Sequence, residues 1–353
     1  MKAIGVKRGE HEPSLLDVPA PEPDDGEALL RTLRVGIDGT DFEVLKGTHG
    51  GFPDDDEYQI LGHEAVGIVE EPNGTDLERG QFVVPTVRRP PAGSNEYFDR
   101  GEPDMAPPGT YLERGIDGAH GFMAEYVTSP AEYLVPIPTE FAETGILVEP
   151  MSNTVKALEH AFASRSLFEW EPETALVLGN GPLGLLTLAM LDSTVDRCYC
   201  LGRRDRPDPT IDLIEELGAT YVDSRETPVD ELPDVHEPVD LAYEATGYAK
   251  HAFETVEALA PNGVGVLLGI PDDWTFEVDG GRFHREMVLR NKALVGSVNS
   301  NLRHFEAAKE SLAGVPDWVP ERIITDVFPP ERVDEAFAGG DDRIKTVIEF
   351  DTP

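Results

Sequence analysis

The stretch Val177–Gly184 reads VLGNGPLG and decides the fold of the chain around it. It places Gly179, Gly181 and Gly184 as G-x-G-x-x-G, directly after an apolar run and directly before a helical one. In such a strand–turn–helix unit the glycines allow a tight turn, a close approach of backbone to a pyrophosphate and tight packing of helix on strand, while the helix N-terminus attracts phosphate. The motif alone is weak evidence, but this setting predicts a dinucleotide-binding site.

Short β-rich runs alternate with helical runs on both sides of this motif, from about residue 171 to residue 299. In chain order they read TALVLG, PLGLLTLAMLDS, CYCLG, PTIDLIEELGA, LAYEAT, HAFETVEALA, GVGVLLG and ALVGSVN. Strands separated by amphipathic helices predict βαβ units and a doubly wound parallel sheet of the Rossmann type. We therefore predict a nucleotide-binding domain over residues 156–299.

The chain before this domain has a different pattern. Its runs EALLRTLRVG, EAVGIVEEP, GQFVVPTV and AEYVTSP are punctuated by Gly, Pro and Asp, as in a partly open β-rich domain. The C-terminal run IKTVIEF predicts one more strand, which we expect to return and pair with the first domain. The predicted fold class is therefore α/β, with a β-rich domain formed by residues 1–155 and 300–353.

Acidic residues outnumber basic ones by 68 to 29, which gives a formal net charge of -39. Such a surface repels nucleic acid, and no apolar run is long enough to span a bilayer. The dispersed carboxylates suit a salt-rich cytoplasm, because molar salt screens their repulsion within about 3 Å. The first residues, MKAIGVKRGE, lack the apolar core of a secretory signal. We expect a cytoplasmic, halophilic protein without nucleic-acid or membrane partners.

Cys198 and Cys200 are the two cysteines of the chain, and both lie in RCYCLG, which predicts a strand. Alternate residues of a strand share a face but do not readily bridge each other, and no second pair completes a zinc knuckle. We expect two core cysteines and a fold without disulfides.

The second strand of the nucleotide-binding domain ends at LGRRDRP. An NAD-specific site usually carries an acid here for the ribose diol, whereas two guanidinium groups suit the 2′-phosphate of NADP. Arg203 and Arg204 therefore favour NADP, in a chain that has few basic residues. Asp205 leaves NAD as an alternative cofactor, and the two arginines could instead neutralise nearby carboxylates.

A candidate metal site joins residues from three places in the chain. His63 and Glu64 lie in GHEAVG, between glycines and ahead of a β-run, unlike the helical H-E-x-x-H of metalloproteases. With Asp38 in VGIDGTD and Glu149 in LVEPMSNTVKALEH, His63 forms a set of three donors that is compatible with catalytic zinc, which needs about three protein ligands and an open position. Taken singly, His63 could be structural and Asp38 could cap its own turn.

Residues 88–114 read RRPPAGSNEYFDRGEPDMAPPGTYLER, a stretch that is dense in Pro and Gly and has little apolar periodicity. A loop of this length is unusual in a compact domain unless it serves a site. We expect most of its residues to form a mobile surface excursion.

The order of these motifs resembles the zinc-dependent medium-chain dehydrogenase/reductase superfamily, nearly from end to end. Asp38-x-Thr40-Asp41, G-H-E, a Glu-Pro before a helix, the G-x-G-x-x-G domain and a C-terminal return follow one another as in that superfamily. More narrowly, VRRP…NEYF…YLERGIDGAHGFMAEY and LGRRDRPDPTIDLIEELGATYVDSR resemble the archaeal glucose dehydrogenases, especially the haloarchaeal ones. The resemblance implies a GroES-like catalytic domain and a Rossmann domain.

The resemblance also implies roles for the metal-site residues. The zinc ligands, direct or through water in the case of the two glutamates, are Asp38, His63, Glu64 and Glu149. Asp38 takes the place of a ligand that is usually Cys in the superfamily. Thr40 takes the hydroxyl position that relays a proton from the substrate. Glu43 stands where the superfamily often has a His, and His49 has no assigned role.

Sugar and cofactor contacts follow from the motifs and the same resemblance. The expected sugar-binding residues are Thr40, Asn95, Glu113, Glu149 and Asn299. The expected cofactor-binding residues are Gly179, Asn180, Gly181, Leu183, Gly184, Arg203, Arg204, Thr246, Gly269 and Asn299. Many superfamily members bind a structural zinc through four cysteines in the lobe at residues 88–114. This chain has no cysteine there, so we expect one catalytic zinc and no structural zinc.

The implied reaction is the NADP-dependent oxidation of β-D-glucose at C1 to gluconolactone, with zinc as Lewis acid. One alternative keeps the fold and the metal but acts on another aldose, a polyol or an alcohol. A second alternative is a non-catalytic nucleotide-binding protein on the same fold, which would have no need of the metal set. The resemblance further implies a homodimer or homotetramer built through edge strands of the cofactor domains.

Overall fold

The computed structural model describes residues 1–91, 93–340 and 342–353. In chain order the strands are β1 (Lys2–Lys7), β2 (Ser14–Asp17), β3 (Glu27–Gly36), β4 (Tyr58–Ile60), β5 (Glu64–Glu71), β6 (Phe82–Pro85), β7 (Arg88–Arg89), β8 (Leu112–Arg114), β9 (Gly118–Ala119), β10 (Tyr126–Pro130), β11 (Leu134–Pro136), β12 (Thr174–Leu178), β13 (Arg197–Gly202), β14 (Thr220–Asp223), β15 (Val239–Glu244), β16 (Leu259–Leu267), β17 (Ala293–Gly296), β18 (Ile324–Phe328) and β19 (Lys345–Glu349).

The α-helices in the same residues are α1 (Gly39–Lys46), α2 (Glu96–Asp99), α3 (Val148–Ala163), α4 (Pro182–Leu191), α5 (Pro209–Glu216), α6 (Leu232–Val235), α7 (His251–Ala258), α8 (Gly280–Leu289), α9 (Leu302–Gly314), α10 (Trp318–Ile323) and α11 (Val333–Phe337). None of the helices in the described residues combines the length and the apolar character that a membrane crossing needs.

The chain divides into two compact units. The first contains Met1–Ser152 and Asn299–Pro353, and the second contains Asn153–Val298. The sequence pattern sets the domain limits at residues 155 and 300, and the observed units change at residues 152 and 299. Each unit has its own sheets.

The second unit contains a parallel sheet in the order β14-β13-β12-β15-β16-β17. All residues of β12 are buried, as expected for a central strand of a sheet that is covered on both faces. The strand order turns back between β12 and β15, which is where doubly wound sheets bind ligands, outside the carboxyl ends of the strands. The predicted Rossmann sheet is confirmed.

The first unit is built mainly from antiparallel strands. Its largest sheet has the order β11-β6-β5-β3-β19-β18, with β10 also paired to β3, and two smaller sheets are β2-β1-β4 and β7-β8-β9. β19 pairs antiparallel with β3, and Val347 lies opposite Gly36. The predicted return of the C-terminal strand to the β-rich domain is therefore confirmed.

The described residues of the lobe at residues 88–114 are more ordered than the expected mobile excursion. It contains β7, α2 and β8. The buried Arg88 holds it together: Nε donates to Glu113 Oε1 at 2.9 Å, and Nη1 donates to the carbonyls of Pro103 and Asp104 at 3.1 and 3.0 Å. A two-residue strand such as β7 is too short to produce a periodic pattern, which is why the sequence predicts a loop here.

Both cysteines are free and lie on β13, with Cys200 buried and Cys198 half-buried. Burial raises the pKa of both thiols, that of Cys198 to about 12. The structure confirms Cys200 as a core residue, whereas Cys198 is only half-buried, and neither cysteine forms a disulfide in the described residues.

Gly184→Ala should lower the free energy of unfolding by about 1–3 kcal/mol, the usual cost of overpacking. A Cβ at Gly184 would lie 1.9 Å from the carbonyl oxygen of Gly179. Gly181→Ala is the matched control in the same turn, because its added Cβ meets nothing within 4 Å and its φ is -80°. Chemical denaturation of both variants in molar salt checks this. A Gly184→Ala protein as stable as the Gly181→Ala protein would contradict the close packing of α4 on the turn.

Candidate active site

Asp38, His63 and Glu64 lie together where β3 ends and β5 begins. These neighbouring antiparallel strands pair with Gly36 opposite Glu64, so the residues just beyond the paired ends are adjacent. One ligand atom from each of the three side chains lies within 4.8 Å of the other two. His63 and Glu64 are buried, and Asp38 is half-buried. The fold thus brings together three of the four predicted metal ligands.

Asp38 caps helix α1 and also faces His63. Its Oδ2 accepts hydrogen bonds from the backbone N–H of Thr40 at 3.1 Å and from the Thr40 hydroxyl at 3.0 Å. The same oxygen is 3.9 Å from His63 Nε2. The two interpretations that the sequence leaves open for Asp38, a cap and a metal-site residue, are therefore compatible in one side chain.

Asp41 connects α1 to the segment before β5 that carries His63, although nothing in the sequence pattern assigns it a role. It is fully buried. Its Oδ2 accepts from the Asp38 N–H at 2.9 Å, and its Oδ1 accepts from the Gly62 N–H at 3.0 Å. Burial raises the pKa of Asp41. The Asp41 side chain therefore positions Asp38 and also the segment that carries His63. Its second partner, Gly62, is far from it in the sequence.

Lys345 supplies a counter-charge for this acidic cluster. It lies on β19 with only 2% of its side chain exposed, and it forms an ion pair with Glu64 Oε2. Gly36 leaves room for the pair, because a Cβ there would lie 2.2 Å from Glu64 Oε2 and 2.9 Å from Lys345 Cε. The sequence contains one hint of this role, since Lys345 alternates in phase with the apolar Val347 in IKTVIEF.

The charges of the cluster shift its pKa values strongly. Burial alone would raise the pKa of Asp38, but Lys345 and His63 outweigh it and lower that pKa to about 2. Burial likewise opposes protonation of His63, yet the carboxylates around it, Glu149 foremost, raise its pKa to about 9. Burial raises the pKa of Glu64 to about 7, although Lys345 opposes the rise. The centre concentrates negative charge that a divalent cation would neutralise.

Glu149, the fourth predicted ligand, is buried in the first turn of α3. Its charge acts on both His63 and Glu64, which places its carboxylate in the same electrostatic environment. The group of side chains whose ligand atoms lie within 4.8 Å of one another consists of Asp38, His63 and Glu64. Ligation by Glu149 therefore stays a prediction.

The residues of this centre fit a zinc ion. An imidazole nitrogen with carboxylate oxygens is a donor set that catalytic zinc uses. The 3.9 Å between His63 Nε2 and Asp38 Oδ2 is too long for a hydrogen bond. Two ligands of one tetrahedral zinc are about 3.4 Å apart, so a small approach would suffice. The buried His63 Nδ1 has no hydrogen-bond partner in the part of the chain that the structure describes. Hydrogen bonding at Nδ1 therefore does not hold the ring against a small adjustment toward an ion.

Glu113 and Asn299, two of the predicted sugar-binding residues, are joined by a hydrogen bond. Asn299 Nδ2 and Arg88 Nε both donate to Glu113 Oε1 at 2.9 Å. In residues 1–91, 93–340 and 342–353, Glu113 Oε2 accepts no hydrogen bond, so it remains available to a ligand. The turn that follows packs against the metal centre, since a Cβ on Gly115 would lie 2.4 Å from the carbonyl oxygen of Gly62.

Asn95, another predicted sugar-binding residue, caps α2. Its Oδ1 accepts from the N–H groups of Tyr97 at 3.0 Å and Phe98 at 3.4 Å, and its Nδ2 donates to the Thr110 carbonyl at 2.9 Å. Capping accounts for an Asn at this position. Sugar binding by Asn95 stays a prediction.

The glycine-rich turn after β12 has the features that a pyrophosphate needs. Gly179 has a φ of +119°, which residues with side chains rarely adopt. Gly184 packs on the carbonyl of Gly179, whereas the space around Gly181 is open at the N-terminus of α4. Asn180 Nδ2 donates to Thr210 Oγ1 at 2.6 Å and holds the turn. This open, positively polarised helix end fits a dinucleotide phosphate.

Arg203 and Arg204 follow β13 at the carboxyl end of the sheet. Arg203 is exposed, and Arg204 Nε lies 3.8 Å from Asp208 Oδ2. The Tyr221 hydroxyl donates to the Arg204 carbonyl at 3.0 Å and accepts from its N–H at 2.7 Å, which fixes the loop. Two guanidinium groups here fit a 2′-phosphate. Sequence reasoning missed Tyr221, because it lies inside β14 and its partner lies on another segment.

Thr246 and Gly269 lie just beyond β15 and β16, at the edge of the sheet where ligands bind. The Thr246 hydroxyl donates to Glu244 and lies 2.8 Å from His251 Nδ1. A Cβ on Gly269 would lie 2.0 Å from the backbone nitrogen of Gly247. Both residues are therefore fixed by packing, and their contact with a nicotinamide stays a prediction.

Comparison with known proteins gives matches over nearly the whole chain. Residues 24–139 match the family described as "Alcohol dehydrogenase GroES-like domain", and residues 142–350 match "Glucose dehydrogenase C-terminus". Glucose 1-dehydrogenase of Haloarcula marismortui is 65% identical over 353 residues, with 100% of both chains covered. Glucose 1-dehydrogenase 1 of Haloterrigena turkmenica is 64% identical over 362 residues, with 99% of both covered.

Among solved structures, Haloferax mediterranei glucose dehydrogenase in complex with NADP, Zn and gluconolactone matches with a TM-score of 0.98. The identity is 63%, and 100% of both chains is covered. These matches cover both units, and they agree with the metal centre and the dinucleotide turn seen here. The chain therefore belongs to the glucose dehydrogenase family of the zinc-dependent medium-chain dehydrogenases.

Proposed function

We propose that the protein oxidises β-D-glucose at C1 to gluconolactone, with NADP as hydride acceptor. In this proposal the first unit holds zinc and sugar, and the second unit holds NADP. The observation that carries it is the buried group of Asp38, His63 and Glu64, whose ligand atoms lie within 4.8 Å of one another. The Haloferax mediterranei relative, solved with NADP, Zn and gluconolactone, supports the same reaction for this chain.

The residues around the metal centre hold the sugar and its proton. A zinc ion bound at Asp38, His63 and Glu64, with Glu149 nearby, supplies a Lewis acid that lowers the pKa of a bound hydroxyl. The Thr40 hydroxyl already donates to Asp38 at 3.0 Å, so its lone pairs can accept the hydrogen bond of the C1 hydroxyl. The C1 hydroxyl would give up its proton through Thr40 to solvent or a carboxylate, C1 would give up a hydride to NADP, and the lactone C=O would form.

Glu113 orients the sugar in this proposal. Its Oε1 is held by Arg88 and Asn299, which fixes the direction of the carboxylate and leaves Oε2 for a hydroxyl group. A carboxylate can accept hydrogen bonds from several hydroxyls. This arrangement favours an aldose over a simple alcohol.

NADP binds along the carboxyl edge of the parallel sheet in this proposal. The turn at Gly179 and Gly181 takes the pyrophosphate, and Arg203 and Arg204 take the 2′-phosphate. The open space at Gly181 and the absence of an aspartate in place of Arg203 support this assignment.

We also infer a homodimer or homotetramer that forms through the edge strand β17. Among the described strands β17 pairs with β16 alone, and the nearby Val288, Leu289 and Val298 are exposed. An unpaired strand edge beside exposed apolar side chains is a surface that a second copy can cover. Sedimentation in molar salt tests this, and a monomer would exclude it.

The acidic composition favours a cytoplasmic location, which cell fractionation tests.

Initial rates in molar salt test the proposed reaction. We expect NADPH to form with glucose and NADP, more slowly with NAD, and not after EDTA treatment until zinc is restored. A panel of galactose, xylose, sorbitol and ethanol is the control for specificity. If one of these compounds were oxidised faster than glucose, that compound would be the better substrate. If no reduced cofactor formed and no zinc were bound, the protein would be non-catalytic.

Asp38→Ala and Asp38→Asn separate the two roles of Asp38. Both should lower zinc affinity by more than the ~10–100-fold typical of a residue that only supports a ligand, because both remove the charge. Only Asp38→Ala should also lose about 1 kcal/mol of helix-cap stability. Equilibrium dialysis with zinc and chemical denaturation measure the two effects. Unchanged zinc affinity in Asp38→Asn would refute ligation by Asp38.

Lys345→Met should lower the free energy of unfolding of EDTA-treated protein by about 3 kcal/mol, because it leaves Glu64 in the interior without its cation. Added zinc should reduce this difference, since a cation then offsets the same carboxylate. The matched control is Lys2→Met, which breaks an exposed pair with Glu331 and should change stability little. Equal denaturation curves for the two variants would contradict the importance of the buried pair.

A further inference from the structure

Three arginines and three aspartates lie around the carboxyl ends of β13 and β14, where the 2′-phosphate of NADP is proposed to bind. They are Arg203, Arg204, Arg225, Asp205, Asp208 and Asp223. The two strand ends are adjacent, since Gly202 pairs with Asp223 in the parallel register. Arg206 is not part of this cluster, because it pairs with Glu215.

Arg225 binds two of the aspartates at once. Its Nε lies 2.9 and 3.1 Å from the two carboxylate oxygens of Asp223, and its Nη2 lies 2.5 Å from Asp223 Oδ2. Its Nη2 and Nη1 donate to the two oxygens of Asp205 at 2.6 and 3.3 Å. Asp205 itself is otherwise open to solvent, with 83% of its side chain exposed. The single guanidinium therefore bridges the carboxylate of Asp223 at the end of β14 and that of Asp205 in the loop after β13.

The ion pairs of Arg225 with Asp205 and Asp223 determine the net charge around a bound phosphate. Hydrogen bonding by Arg225 lowers the pKa of Asp205 and of Asp223, so both acids are ionised. The charge of Arg203 also lowers the pKa of Asp223, which shows that Asp223 lies near the proposed phosphate-binding arginine. Without Arg225, two arginines would face three aspartates, and a dianionic phosphate would be repelled.

We propose that Arg225 determines specificity for NADP over NAD by occupying the carboxylates of Asp205 and Asp223. Either carboxylate, once unpaired, could bind the ribose 2′-hydroxyl of NAD, as an acid at the end of the second strand does in NAD-specific sites. Paired with Arg225, these carboxylates compete less for the charge of the exposed Arg203, which can then face the phosphate. This inference rests on the proposed use of NADP.

Arg225→Gln tests the inference through binding, independently of turnover. Titration calorimetry on the full, zinc-loaded chain should give a dissociation constant for NADP that rises by about tenfold, because the two unpaired carboxylates would then repel the phosphate. The constant for NAD should stay unchanged or fall. The matched control is Arg197→Gln, which removes an arginine that is paired just as closely, with Glu237 at 2.7 and 3.1 Å, from the opposite end of β13.

A second variant separates charge from loop structure. Adding Asp205→Asn and Asp223→Asn to Arg225→Gln removes the freed carboxylates, so it should restore most of the preference for NADP. If Arg225 only held the loop, this triple variant would bind NADP as weakly as Arg225→Gln does, and affinity for NAD would fall in both. Either result would overturn the inference.

The wild-type protein distinguishes failure of this inference from failure of the proposed function. If the wild type binds NAD as tightly as NADP, the proposed cofactor preference is wrong, and the inference falls with it. If the wild type prefers NADP and Arg225→Gln keeps the same preference, the role of Arg225 alone is wrong. A loss of preference in the Arg197→Gln control would also overturn it, because net charge would then explain the effect.

Discussion

The buried ion pair between Lys345 and Glu64 is the interaction on which the metal centre depends. Asp38, Asp41 and Glu64 crowd carboxylates around His63, where desolvation and mutual repulsion would favour a neutral or displaced acid. Lys345 opposes this, since its charge lowers the pKa of Asp38 and limits the rise for Glu64. The centre can therefore keep charged oxygens in place for a cation, and the cation completes the neutralisation that Lys345 begins.

This ion pair also constrains the fold of the first unit. β3 lies between β5, which begins at Glu64, and β19, which begins at Lys345. The pair fits only because Gly36 on β3 has no side chain in the space between them. The C-terminal strand must therefore cross back to the N-terminal domain in one register, because a shift by one residue would turn Lys345 to the other face of the sheet. The same hydrogen-bonded strands define the fold and the site.

Sequence reasoning succeeds where the signal is local. Apolar runs that end at Gly179 and Gly202 define β12 and β13, and the spacing of Gly179, Gly181 and Gly184 locates the phosphate turn. The donor types in the sequence supply Asp38 and His63, and the resemblance adds Glu64; the structure groups these three residues. The remaining contacts depend on register between distant segments: Lys345 reaches Glu64 only through the pairing of β19 with β3, and nothing in a single sequence gives that pairing. The prediction of a mobile loop at residues 88–114 is wrong for another reason. The order of this lobe comes from one buried arginine, Arg88, and not from a periodic pattern.

The placement of the few basic residues explains how so acidic a chain can select an anionic ligand. With 68 acidic and 29 basic residues, the long-range field repels phosphate, but molar salt screens that field within about 3 Å. Short contacts and buried ion pairs keep most of their strength, because salt screens them much less. Lys345 on Glu64, Arg88 on Glu113 and Arg225 on its two aspartates are such contacts. In salt, selectivity must therefore come from which carboxylates are paired at short range, and not from the sign of the whole surface.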